Sequence, residues 1–86
     1  MNPINNLLRL VSVFASARKV SDARASTLIF GDGTRVKHLR SGGDMGVKRV
    51  ERAMVWLSGN WPEGAIWPDD ISRPAPHSPS EVEEAA

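Results

Sequence analysis

The side chains best suited to hold an anion lie close together between Thr34 and Arg40. Thr34, Arg35, Lys37, His38 and Arg40 carry hydroxyl, guanidinium, ammonium and imidazole groups around a short spine of Val36 and Leu39. On a helix, Val36 and Leu39 share one face and the polar groups take the rest. The outward chemistry is then that of phosphate and base-edge hydrogen bonding. No competing constellation is present. The chain has no cysteine, and its histidines, His38 and His77, do not stand at metal-ligand spacing. Asp69-Asp70 and Glu83-Glu84 sit in a proline-rich stretch and at the chain end, where carboxylates are neither held nor desolvated enough for paired acid–base work. GDG and SGGDMG follow no strand and precede no Gly-Lys-Ser/Thr, so a phosphate-cradling loop is not expected. Neither an enzyme nor a cofactor or metal is the expectation.

Four helices must position that run. The first spans about residues 3–18. Asn2 is suited to cap it, Pro3 to open it, and Ile4, Leu7, Leu8, Val11, Phe14 and Ala15 recur at helical spacing. The second opens after Ser21, with Asp22 in its first turn. Its inner face is read as Ala25, Leu28 and Ile29, with Phe30 as a core plug, and Gly31-Asp32-Gly33 ends it. The third begins at Asp32 or Thr34 and stops at Gly42-Gly43. Asp44 is the expected cap of the fourth, whose seam runs Val47, Val50, Met54, Leu57 and Trp61 until Gly59 and Pro62 close it.

Eighty-six residues make one domain. The net charge of +1 hides a division. Residues 1–60 hold ten basic and four acidic residues, and residues 61–86 hold one basic and six acidic. A basic body with an acidic end suits a nucleic-acid partner, and ordinary solvated charge is the alternative. Arg9 interrupts the apolar run near the N-terminus, and no stretch approaches a membrane span. With no thiols, the expectation is a cytoplasmic protein.

Val20–Gly42 resembles the helix-turn-helix of lambda-repressor-like (Cro-type) regulators. Ser21 stands where that family caps its second helix, Ala25-Ser26 where an apolar residue precedes a small one, and Ile29 near the helix end. Val36, Leu39 and Gly42 match the inner residues and terminal glycine of the recognition helix, and GVKRVERAMVWLS the helix that follows. Phe30 falls where the family usually has glycine, with Gly31 one residue later, and Ala25 is smaller than the usual leucine. The likeness covers roughly residues 4–58.

The resemblance implies an all-α, four-helix helix-turn-helix domain over residues 1–61. A Pro/Trp-rich arm (62–76) packs on it and a disordered acidic tail (77–86) follows. It implies a sequence-specific transcriptional regulator of double-stranded DNA, of the repressor kind found in mobile elements and phage-like operons. Thr34, Arg35, Lys37 and His38 would then reach base edges, and Ser21, Arg40, Lys48 and Arg49 would hold phosphates. Such readers commonly bind as homodimers. Trp61 and Trp67 are therefore candidate contacts to a second copy or another protein, against the reading that they pack within the chain. The alternative function is a protein-binding module on the same fold, an antiactivator or adaptor, working through the aromatic arm.

Overall fold

A computed structural model describes residues 3–74, so the expected cap at Asn2 and the expected disorder of the tail lie outside the described residues. The described residues form four helices and no strand: α1 (Pro3–Arg18), α2 (Asp22–Phe30), α3 (Arg35–Arg40) and α4 (Val47–Gly59). None is long and apolar enough to cross a membrane.

The core forms where α1 lies against α4, α2 and α3. Leu7, Leu10, Val11, Phe14 and Ala15 of α1 are buried. Leu10 takes a place that the sequence reading gave to Leu8, which is half-buried beside Ile4. Phe14 is fully buried and meets the edge of Trp56 at 5.5 Å between ring centroids. At its C-terminal end α1 turns through Lys19 at φ 60°, and the Val20 N–H returns to the Ala15 carbonyl at 3.0 Å. Val20 then packs on the core behind that turn.

Ser21 caps α2, its hydroxyl accepting the Arg24 N–H at 3.1 Å. Gly31 closes the helix at φ 74°, a conformation that strains any residue with a Cβ. The inner face of α2 differs from expectation. Ala25 and Ser26 are buried, Ile29 and Phe30 are half-buried, and Leu28 faces solvent. The cause is Ser26. Its hydroxyl donates to the Asp32 carbonyl and accepts the Val36 N–H at 3.0 Å, which turns this helix edge inward.

Two corrections concern α4. Asp44 does not cap it; that carboxylate accepts the Met45 N–H at 2.9 Å, and Gly46 is the N-cap with no side-chain bond. Val47 is 67% exposed, because Met45, in the loop ahead of the helix, packs on the core instead. The buried stripe of α4 is Val50, Ala53, Leu57 and Ser58. Met54 is half-buried at its margin, and Trp61 lies beyond the helix end.

Residues 60–74 run back over the bundle. Trp61 and Trp67 contact each other at 4.8 Å, and their indole N–H groups donate to the carbonyls of Ala65 (2.9 Å) and Ile71 (2.7 Å). Ile71 is buried, whereas Ile66 is 80% exposed. Arg9 of α1 grips Asp70 through two bonds of 2.7 and 3.2 Å. Ser58 and Arg73 complete the attachment. The Ser58 hydroxyl donates to the Pro74 carbonyl at 2.7 Å, while Arg73 donates to both the hydroxyl (3.0 Å) and the carbonyl (2.8 Å) of Ser58.

Candidate nucleic-acid interface

The α2–α3 corner is built from the Asp32 carboxylate outward. One oxygen accepts the Thr34 N–H at 2.9 Å and the Thr34 hydroxyl at 2.8 Å. The other stands 3.6 Å from Arg35. The Thr34 backbone and hydroxyl bonds hold the Asp32 pKa below the ordinary carboxylate range; slight desolvation opposes them, and the charges of Arg35 and Arg49 add to them. Asp32 thereby stays ionised and fixes Thr34, the N-cap of α3, whose own side chain makes no capping bond to the helix.

Successive residues of a helix turn by about 100°. With Val36 and Leu39 buried, Arg35 and Arg40 therefore fall on the two flanks of α3, and Lys37 and His38 point furthest out. The flanking arginines are the ones with acidic partners. Arg35 leans on Asp32, and its Nε is buried without a hydrogen-bond partner. Arg40 holds both oxygens of Asp22 at 2.8 and 3.3 Å and reaches the Ser12 hydroxyl at 3.0 Å, so it ties α3 to α2 and α1. Lys37 is exposed and has no ion-pair partner among the described residues. His38 is exposed but packs closely on Gly43: a Cβ on that glycine would clash with its Nε2, Cδ2 and Cε1 atoms.

The residues expected at phosphates divide in the same way. Ser21 spends its hydroxyl on the cap, and Arg40 is committed to Asp22. Lys48 and Arg49 are exposed in the first turn of α4. That turn has no acidic residue and no side-chain cap, so two cations sit at the positive end of a helix. Arg52, which the sequence alone does not single out, belongs beside them. With Arg49 it lines a groove of about 280 Å³ whose apolar part is Ile29, Phe30, Ala53 and Trp56. Phe30 thus packs against the core only in part and also forms a wall of this groove. Its sequence signal is faint: an aromatic at the end of a short helix, just before the αL glycine.

Trp61 and Trp67 stand away from this corner in their bonding. Each is half-buried within its own chain and has its N–H satisfied there. The described residues hold no group of three or more His, Asp or Glu side chains that could bind a metal ion. No known protein family, curated protein or solved structure matches this chain.

Proposed function

We propose that this chain is a DNA-binding transcriptional regulator of the repressor-like helix-turn-helix kind, with α3 as the element that enters the major groove. One observation carries the proposal. Lys37, Lys48, Arg49 and Arg52 are exposed on α3 and the first half of α4, and none has a carboxylate within ion-pair distance among the described residues. Unpaired cations on the outer side of a short helix, next to a cationic helix start, suit a polyanion with a groove. Lys37, His38 and Thr34 are the outward candidates for base edges. Arg35 joins them by letting go of Asp32, a long contact between partly exposed groups that costs little to break.

The test is a titration against a library of short duplexes at moderate salt. A selected duplex should bind at least tenfold more tightly than random sequence, with affinity falling steeply as salt rises. Failure of every duplex to bind more tightly than about 10⁻⁵ M overturns the proposal. Arg35→Ala should erode selectivity, while Lys48→Ala should weaken all sequences alike and flatten the salt slope. Equal effects from both would remove the division of roles.

A second reading, a protein-binding module, draws on a groove of about 360 Å³ between α4 and the chain's return, lined by Met54, Val55, Arg73 and Pro74 among others. A nuclease-resistant protein partner, lost on deleting residues 61–86, would favour it.

A further inference from the structure

The cationic groove beside α4 has a complement within the chain itself. Its apolar part is Ile29, Phe30, Ala53 and Trp56, and Arg49 and Arg52 complete it. Phe30 and Trp56 are only half-buried, so aromatic surface is left open there. Among the described carboxylates, Asp22, Asp32 and Asp70 are engaged by Arg40, by Thr34 with Arg35, and by Arg9, and none, Glu51 of α4 included, forms an ion pair with Arg49 or Arg52. The densest run of acid in the chain is Glu81-Val82-Glu83-Glu84, three carboxylates around one apolar residue.

We propose that this run docks in the Arg49/Arg52 groove of its own chain and masks the α4 cations until a polyanion displaces it.

Reach allows this. The Pro74 carbonyl is held by Ser58, near the C-terminal end of α4. Arg52 lies about 9 Å back along that helix axis and about 120° around it, and Arg49 about 14 Å back on the opposite side, so the segment must pass round the exposed side of α4 to meet Arg52 first. The seven residues from Pro74 to Glu81 span up to about 25 Å. A tethered segment acts at an effective concentration on the order of millimolar, so a weak, screened contact suffices to occupy the groove. Docking of this kind lowers the apparent affinity for a competing polyanion by the fraction of time the groove is filled. The docking stands on charge and reach alone; the masking of nucleic acid rests on the function proposed above.

The experiment compares the full chain with its Glu81→Gln/Glu83→Gln/Glu84→Gln variant at low salt, without nucleic acid, by backbone and indole ¹⁵N shifts. The differences should concentrate at Phe30, Arg49, Arg52 and the Trp56 indole, and should vanish in about 0.5 M salt. Absence of differences there overturns the docking. Differences that grow with protein concentration also overturn it, because they assign the contact to a second copy. Both proteins are then titrated with random duplex and with heparin. The variant should bind heparin roughly three- to tenfold more tightly at low salt. Unchanged heparin affinity overturns the masking. A gain on heparin with no duplex binding by either protein sinks the DNA function and leaves the docking standing.

Discussion

Among the described residues, Ser26 and Ser58 are the two buried polar ones, and each anchors a corner in a different way. Ser26 joins α2 to α3 through main-chain groups only six and ten residues away. Ser58 joins α4 to the returning chain through partners fifteen and sixteen residues away, one of them the charged Arg73. Around Ser26 the bonds are short-range and closed. Around Ser58 the attachment is shared with the exposed Arg9–Asp70 pair and with Arg73 stacked over Trp67 at 5.2 Å. The corner that sets α3 is thus centred on local hydrogen bonds from a buried serine, with the exposed Arg40–Asp22 pair added at its flank. The one that sets residues 60–74 depends partly on solvent-exposed charge, and should loosen first and respond to salt.

The largest effect that could break this contrast is Ser26→Ala. It strands the buried Val36 N–H and should cost about 1–3 kcal/mol, a drop in Tm of several degrees for a domain of this size. A melt within experimental error of the parent would show that Ser26 merely fills space. Ser58→Ala should cost about 1 kcal/mol or somewhat less, since Arg73 keeps its bond to the Ser58 carbonyl. Its loss should be reported by Trp67 fluorescence before the far-ultraviolet helix signal changes. If both signals move together, the two corners are not separable. The double variant sharpens the point: independent corners give costs that sum to within about 0.5 kcal/mol.

Smaller still is Arg9→Ala. It should lower Tm less than Ser58→Ala does, and the difference from the parent should fade in high salt. A deficit that persists in high salt would mean that Arg9 acts through packing.

The smallest effects are in acid. Asp32 and Asp70 both have folded pKa values below the ordinary range, the first through Thr34 and the second through Arg9. Each is ionised more readily folded than unfolded. Its contribution is therefore complete above the unfolded value of about 3.9 and is lost as pH falls through the folded value. Asp32→Asn and Asp70→Asn should each flatten stability across that window. Salt should shrink the Asp70 share more than the Asp32 share, because the latter comes first from neutral donors. Equal salt sensitivity would remove the distinction between the corners.

Much of this architecture is written locally. Ser21, Gly31 and Gly42 announce where helices begin and end, because caps and αL turns depend on a few neighbouring atoms. The spacing of Leu7, Val11 and Phe14 likewise marks the inner side of α1. Hydropathy failed at Ser26 and Leu28. No scale prefers a buried serine to an exposed leucine, and the partners that reverse the preference sit across a turn. Met45 and Val47 exchanged places for a similar reason: which one covers the core depends on where the loop meets α1. At the candidate interface, residue type indicated a basic α3. It could not indicate that Arg35 and Arg40 would be claimed by Asp32 and Asp22, nor that Arg52 would join Arg49 in one groove.

Most helix limits, though not the start of α4, the all-helical character and the separation of positive body from negative end were already present in the order of residues, since each depends on neighbours or on simple counting. Which cations stay unpaired, which serines turn inward and where the tryptophans spend their N–H groups came from packing. Those outcomes depend on side chains far apart in sequence competing for the same buried partners.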